Sequence, residues 1–207
     1  SMVTGKSNST TSGLGVIVSG NNNTILSEQE SLIVGKDNNV SSGTNNSVQG
    51  LNNNSNTNTS SLITGKNNVV ANNTTVSVYG SSHDISVNSV NTLVGGNQNS
   101  ETTGTNKAII GNLNKSSSTS NTITGGNTNT SNTVVNSLII GQNHTSTSLS
   151  HGLVSGNNNT VSNSLKSLLH GDSNTVQNSN DNIVSGKSNS LASDNYSAVF
   201  GNNNSLT

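Results

Sequence analysis

Glycine recurs every fifteen residues along this 207-residue chain. Self-similarity at a short fixed period is the signature of a solenoid, in which each repeat forms one coil that stacks on the previous one. One spacing, from Gly80 to Gly96, is sixteen residues, and the pair Gly95-Gly96 leaves the position of the extra residue open. The anchor glycines are Gly5, Gly20, Gly35, Gly50, Gly65, Gly80, Gly96, Gly111, Gly126, Gly141, Gly156, Gly171, Gly186 and Gly201. We therefore expect a single repeat array over residues 1–207, opened by a Ser1-Met2 pair that is typical of a cloning scar.

An Asn or a His stands three residues after every anchor glycine. Glycine permits the left-handed backbone, and Asn tolerates it while its side chain bonds nearby backbone, so the pair is typical of a turn. Asn side chains stacked from coil to coil can also bond to one another. We predict a structural turn ladder in which His83 and His144 replace Asn through a ring nitrogen. Its members are Asn8, Asn23, Asn38, Asn53, Asn68, His83, Asn99, Asn114, Asn129, His144, Asn159, Asn174, Asn189 and Asn204.

Aliphatic residues precede each anchor glycine. The residue two positions before it is Val, Ile or Leu in every coil except at Thr124, and the residue before that is also mostly apolar. Neighbouring residues of a strand point to opposite faces, so this strand is apolar on both faces and is predicted to be buried on both. A second, weaker strand follows each turn, with Ile25 or Val40 five residues after the glycine. We therefore expect an all-β fold with two strands per coil, whose outer apolar face needs a covering surface, as in an oligomer.

Composition narrows the functional classes. Only 26% of the residues are hydrophobic, yet the chain has no Pro and 7% charged residues, and its registered apolar columns argue against disorder. The net charge of −1 gives no electrostatic footprint for nucleic acid or an anionic membrane, so we expect neither partner. Zero Cys excludes disulfides and thiolate metal sites. No apolar run is long enough to span a bilayer.

Catalytic motifs are missing from the sequence. Glu28 and Glu30 lie two residues apart, but we interpret them as part of a solvated loop. No Gly-x-Ser-x-Gly elbow or His-Glu-x-x-His pair is present, and the triplet Gly5-Lys6-Ser7 lacks the upstream glycine of a phosphate-binding loop. His83 and Asp84 have no converging ligands in neighbouring coils. We therefore expect no enzymatic activity, no catalytic residue, no cofactor and no metal.

Four segments resemble the Ser-Val-Ala-Ile-Gly repeat of YadA-like heads, which belong to trimeric autotransporter adhesins. They are residues 31–35 (Ser-Leu-Ile-Val-Gly), 61–65 (Ser-Leu-Ile-Thr-Gly), 137–141 (Ser-Leu-Ile-Ile-Gly) and 197–201 (Ser-Ala-Val-Phe-Gly). The resemblance implies a left-handed parallel β-roll of about fourteen 15-residue coils, assembled as a homotrimer around a common axis. It also implies a bacterial cell-surface location, with attachment to the outer membrane through regions outside this segment.

The chain departs from the family pattern in its period of fifteen rather than fourteen and in its Asn-rich turns. This Asn-rich variant is similar to heads from fusobacteria, some of which bind CEACAM receptors. The resemblance implies a host surface glycoprotein of the CEACAM1 type, or an extracellular-matrix protein, as the partner. No binding motif can be matched residue by residue.

Large residues that interrupt the polar pattern are the candidate binding residues, because exposed large groups tend to become interface anchors. They are Tyr79, Val87, Val90, Leu149, Leu165, Tyr196 and Phe200. For Tyr79 and Phe200, packing at the trimer seam is the alternative. If His170 and Gln49 face a trimer axis, three copies of either could surround a chloride ion or a water.

Three other functions remain open at this point. The segment could be a structural spacer without a ligand of its own. An ice-binding solenoid would use a Thr column four residues after the glycine, but Asn39 and Lys115 interrupt that column. A carbohydrate-active β-helix would need larger coils and clustered carboxylates. The residues of the Thr column are Thr24, Thr130, Thr145, Thr160 and Thr175.

Overall fold

A computed structural model describes residues 1–86 and 88–207. Within these residues all regular secondary structure is β, no helix is present, and every strand pairing is parallel. This confirms the predicted all-β parallel solenoid, with about fourteen turns. The chain divides into two compact units, Ser1–Thr103 and Gly104–Thr207.

Two strands alternate along each coil of the first unit, and each pairs with its equivalent in the next coil. Strand β1 pairs with β3 in a register that places Gly5 opposite Gly20, and β2 pairs with β4. The strands of this unit are β1 (Met2–Lys6), β2 (Ser9–Thr11), β3 (Ile17–Asn21), β4 (Thr24–Leu26), β5 (Leu32–Lys36), β6 (Asn39–Ser41), β7 (Ser47–Leu51), β8 (Asn54–Asn56), β9 (Leu62–Lys66), β10 (Val69–Ala71), β11 (Thr74–Ser81) and β12 (Asp84–Asn97).

The second unit repeats this arrangement. Strand β13 (Ser100–Asn112) begins in the first unit, and the others follow with the same coil-to-coil pairing, as in β16 with β18. They are β14 (Lys115–Asn127), β15 (Thr130–Asn132), β16 (Leu138–Gln142), β17 (Thr145–Ser150), β18 (Leu153–Asn157), β19 (Thr160–Leu165), β20 (Leu168–Asp172), β21 (Thr175–Gln177), β22 (Ile183–Lys187), β23 (Ser190–Ala192), β24 (Ala198–Asn202) and β25 (Ser205–Leu206).

The extra residue of the sixteen-residue coil lies in the second strand rather than at the tandem glycine. Ala71 pairs with Ser86, an offset of fifteen, whereas Thr74 pairs with Val90, an offset of sixteen. The backbone N–H of Ser89 donates to Asn73 Oδ1, sixteen residues earlier, whereas the equivalent N–H of Asn73 donates to Asn58 Oδ1, fifteen residues earlier. Gly96 therefore keeps the anchor position, and the offset changes between Ser86 and Ser89.

The anchor glycines are required by both conformation and space. Gly80 has φ +123°, in the region that side chains rarely adopt. A Cβ atom on it would overlap the carbonyl oxygen of Gly96 in the next coil. Because the coils stack in register, a Cβ on any anchor glycine that precedes another in the same unit would overlap that next glycine. This overlap explains why glycine recurs at the period of the coil.

The core of each unit is built from the aliphatic residues two positions before the anchor glycines. Val18, Ile33 and Ile63 are fully buried, and the polar exception Thr124 is buried as well. Each such aliphatic side chain contributes about 1.5–3 kcal/mol by its removal from water. The residues five positions after the glycine also face inward, including Ile25 and the serines that replace aliphatics in central coils. The prediction for the inner face is confirmed.

Three glycines outside the period make room for large buried side chains in the second turn. A Cβ on Gly152 would collide with Leu149, and one on Gly104 would meet the Lys107 side chain. Leu149 and Lys107 are accordingly buried. The expectation that Leu149 is exposed is therefore wrong.

Glu28 is the third of these side chains. Its Oε1 accepts a hydrogen bond from Gly43 N (2.6 Å), and its Oε2 accepts bonds from Ser31 Oγ (2.9 Å) and Asn46 Nδ2 (3.2 Å). A Cβ at Gly43 would lie 2.8 Å from Glu28 Oε1, so this glycine creates the space. The interpretation of Glu28 as solvated is wrong, whereas Glu30 is exposed.

Candidate interaction surface

The Asn residues after the anchor glycines bond consecutive coils together. In the first unit, Asn23 Oδ1 accepts from the backbone N–H of Asn38 (3.1 Å) and from its Nδ2 (3.0 Å). The same Nδ2 donates to the carbonyl of Gly50 in the following coil (3.0 Å). The second unit repeats the pattern with Asn174, Asn189 and Asn204. These side chains are buried apart from the first and last ones, so they hold coils together and are not a ligand surface.

His83 and His144 occupy the ladder as single neutral tautomers. The Nδ1 of His83 accepts from the backbone N–H of Asn99 (3.2 Å), and its Nε2 donates to the carbonyl of Tyr79 (3.1 Å). His144 makes the equivalent bonds with Asn159 and with the carbonyl of Ile140. Burial lowers the pKa of both imidazoles, and the backbone hydrogen bonds only partly oppose that shift.

A second set of coil-to-coil bonds, which was not predicted from the sequence, runs through the other turn. In the first unit, Asn58 Oδ1 accepts from Asn73 N (3.0 Å), and Asn73 Oδ1 accepts from Ser89 N (2.9 Å). In the second unit, Asn182 Oδ1 accepts from Ser197 N (3.0 Å). These Asn residues stand seven or four positions before an anchor glycine. That repeated position was the signal available in the sequence.

The residues three positions before the anchor glycines form an exposed apolar column, which we call the outer column. Ile17 is 48% exposed in the first unit, and Ile123 is 48% exposed in the second. A row of large aliphatic side chains on a surface marks an interaction site. Ser47 and Ser77 interrupt the row in the first unit, and Leu62, Leu138, Leu153 and Leu168 are only partly exposed. The large apolar members of the column are Met2, Ile17, Leu32, Leu62 and Leu93 in the first unit and Ile123, Leu138, Leu153, Leu168 and Ile183 in the second.

The residues immediately before the anchor glycines, the pre-glycine column, lie on the same face. In the second unit, large and small side chains alternate strictly along this column, and the large ones are the more exposed. The outer column shows no such alternation. The alternating residues are Ile110, Gly125, Ile140, Ser155, His170, Ser185 and Phe200.

An open groove of about 580 Å³ borders the outer column in the second unit. Its polar wall is a row of exposed turn residues, in which Asn121 Nδ2 donates to Asn136 Oδ1 (2.8 Å) and Asn136 Nδ2 bonds His151 Nε2 (3.2 Å). Its apolar floor belongs to the outer column. The groove is lined by Asn121, Asn136, His151 and Lys166 on one side and by Ile123, Leu138, Leu153 and Leu168 on the other.

Two of the predicted binding residues lie near the second turn, in coils that are two apart. Leu165 is 50% exposed and Tyr196 is 83% exposed. The carbonyl of Leu165 accepts from Asp181 N (2.8 Å), and Asp181 forms an ion pair with Lys166 (3.6 Å). We call Leu165, Lys166, Asp181 and Tyr196 the turn edge. A large aromatic beside an aliphatic residue and a charged pair is a composition that favours protein contacts.

The other predicted binding residues are placed differently. Tyr79 and Phe200 are exposed in the pre-glycine column, on the face that also carries the outer column. Val90 is half-buried, and Leu149 belongs to the core of the second unit. Val87 lies outside the described residues.

Four of the five threonines considered for ice binding form one short column. Thr130, Thr145, Thr160 and Thr175 are paired in register on four consecutive coils. Two positions further along each strand the residues are Asn132, Thr147, Ser162 and Gln177, so among the described residues of these coils a second Thr column does not accompany the first.

Metal ligands do not cluster within a single chain, since the described residues contain no group of three or more His, Cys, Asp or Glu suited to hold an ion. The described part of the chain also has no helix with the length and apolarity needed to cross a bilayer. The sequence matches no known family model, and it matches no curated protein.

Proposed function

We propose that this chain is the head of a bacterial surface adhesin of the trimeric autotransporter type, a non-enzymatic homotrimer that binds a host protein through its lateral surface. The single observation that carries the proposal is the outer column, which places exposed aliphatic residues on one face of the sheet within each unit, such as Ile17 in the first and Ile123 in the second. Further copies of the same chain are the proposed cover for this face, because each copy presents an equally apolar column.

The segments at residues 31–35 and 137–141 that resemble YadA-like heads support the same assembly. The proposed trimer adopts the left-handed β-roll of that family and stands at the bacterial cell surface, attached to the outer membrane through regions outside this segment. Its partner is a host glycoprotein of the CEACAM1 type or an extracellular-matrix protein. Three equal sites on one particle raise avidity without any new contact.

The turn edge is the proposed receptor contact. Tyr196 and Leu165 are exposed there, and they belong to neither the outer column nor the pre-glycine column, which the other copies are proposed to cover. Aromatic residues dominate binding energy at protein interfaces, because they bury a large area at a low entropic cost. The ion pair between Lys166 and Asp181 supplies polar contacts at the rim of this surface.

A direct binding assay tests this proposal. The chain is passed over immobilised CEACAM1-type ectodomain and over matrix proteins, and the Tyr196→Ala and Leu165→Ala variants are compared with it. We expect each substitution to weaken binding by about tenfold or more. Leu26→Ala is the matched control, because Leu26 is an exposed leucine remote in sequence from the turn edge. Absence of binding to every receptor would favour a structural spacer, and thermal hysteresis would favour ice binding through the Thr column.

A further inference from the structure

The alternation of large and small residues in the pre-glycine column constrains how copies meet. Consecutive coils of a parallel sheet are about 4.8 Å apart. Where the same Ile or Phe of three chains meets at an axis, the three side chains together need more height than this spacing. Three large side chains at one height therefore need room from the coils above and below. Gly125, Ser155 and Ser185 supply that room next to Ile140, His170 and Phe200.

The outer column does not show this adjustment. Its members in the second unit are Ile or Leu on five consecutive coils, a composition suited to packing against a different surface of a neighbouring copy. Crowding by symmetry-related copies of the same residue acts only on the column nearest to the axis. In the proposed trimer, the alternation therefore assigns the pre-glycine column of the second unit to the position nearest to the axis.

His170 is the one titratable side chain among the large members of the alternating series in the second unit. Its Nδ1 lies 2.9 Å from Ser155 Oγ, the small neighbour in the preceding coil. In the tautomer that donates Nδ1–H to this hydroxyl, Nε2 carries the lone pair. The ring is exposed on the same face as Ile140 and Phe200. A hydrogen bond to one ring nitrogen is the usual way in which a protein prepares the other one to bind a metal.

We propose that three copies of His170 form a Zn²⁺ site on the axis of the trimer, with one Nε2 from each chain and a water as the fourth ligand. Three imidazoles and a water make the four-coordinate geometry that zinc prefers. A single chain offers one of these ligands, so the site needs all three copies. The site rests on the proposed trimeric assembly and adds a ligand to it.

Metal titration with a matched histidine control tests the site. The 207-residue protein is freed of metal with a chelator and titrated with Zn²⁺ by calorimetry and with Co²⁺ by visible absorption, while light scattering gives the mass of each sample. We expect one ion per three chains and the absorption of four-coordinate Co²⁺. We expect His170→Asn to weaken binding by at least about 100-fold and Ser155→Ala to weaken it by about tenfold. His151→Asn, which removes an exposed histidine outside the pre-glycine column, should bind as the parent does.

The outcomes separate the site from the assembly. A trimer that binds one ion per three chains, and loses it only in His170→Asn, supports the site. A trimer that binds no ion, or that keeps its ion in His170→Asn, overturns the site and leaves the assembly standing. A monomer in light scattering overturns the assembly and the site together.

Discussion

The carboxamide oxygen of Asn38 accepts two hydrogen bonds from Asn53, one from the backbone N–H and one from the side-chain Nδ2, each 3.1 Å long. Asn53 in turn accepts from Asn68 and donates to the carbonyl of Gly65. Each buried Asn therefore satisfies backbone groups of the following coil and bonds the Asn side chain of the preceding one. This relationship explains how a chain with few apolar residues holds its coils in register.

Loss of one ladder side chain should destabilise the first unit. Asn53→Ala leaves the buried N–H of Asn68 and the carbonyl of Gly65 without their side-chain partner, and we expect a cost of about 2–4 kcal/mol in the free energy of unfolding. Urea unfolding followed by circular dichroism measures it. Asn54→Ala, at the adjacent exposed position, should change stability by less than about 0.5 kcal/mol. Equal effects of the two substitutions would contradict a structural role for the ladder.

The anchor glycines should tolerate no side chain. Gly80→Ala combines a strained φ of +123° with a Cβ that overlaps the carbonyl of Gly96, and we expect a loss of at least about 3 kcal/mol or failure to fold. Gly95→Ala is the control, since no atom lies within 4 Å of the added Cβ. The two midpoints of urea unfolding give the comparison, and a stable Gly80→Ala protein would show that the stacking described here is wrong.

Acid should loosen the two coil junctions that contain histidine. The folded-state pKa of His83 and His144 is lowered by burial, so their contribution to stability is present above the ordinary value of about 6.5 and is lost as the pH falls below it. Protonation places an N–H on Nδ1, opposite the backbone N–H of Asn99 or Asn159. We expect faster amide exchange at these two residues at about pH 5, after correction for the intrinsic rate.

Replacing each histidine by Asn, the usual residue of the turn ladder, gives the control for this pH effect. His83→Asn and His144→Asn introduce the residue that occupies the same position in most coils, so they should fold and keep the coil-to-coil bond. In these variants, exchange at Asn99 and Asn159 should no longer respond to pH in this window. A response that persists would assign the pH effect to other groups.

Lys107 should give a pH profile of the same sign at higher pH. Burial lowers its pKa to about 8, so the folded state carries the cost of a buried charge below that pH. Stability should rise by about 3 kcal/mol between about pH 8 and pH 10.5, where the unfolded chain still binds the proton. Lys107→Thr places the residue found at Thr122, the equivalent position of the following coil, and should remove this rise. Identical profiles for parent and variant in urea unfolding would contradict the burial.

The regular part of the fold could be predicted because the glycine period fixes the register of every coil. Once the register is known, Ile33 and Ile139 must face inward together, and the Asn positions must stack. The apolar residues of the outer column could also be predicted from the sequence. The surface that covers them belongs to other copies in the proposed assembly, so a single chain does not show it. These inferences depend only on spacing.

The burial of Glu28, Lys107 and Leu149 could not be predicted from spacing alone, because each depends on a glycine in a neighbouring position. Gly43, Gly104 and Gly152 lie off the period, and each frees the volume that a large side chain then fills. Off-period glycines in the second turn are therefore a signal for a large buried neighbour. The alternation of large and small residues on either side of His170 is also present in the sequence. It indicates an interface only once the structure shows that the pre-glycine column is exposed.

The solution mass of the chain, measured by light scattering after size exclusion, tests the central claim most directly. The proposed trimer predicts a particle of about 63 kDa, three times the chain mass of 21.0 kDa. Leu153→Glu, a charge in the middle of that column, should reduce the mass to that of one chain. A folded protein that stays at 21.0 kDa at all concentrations would contradict the assembly and, with it, the proposed adhesin head.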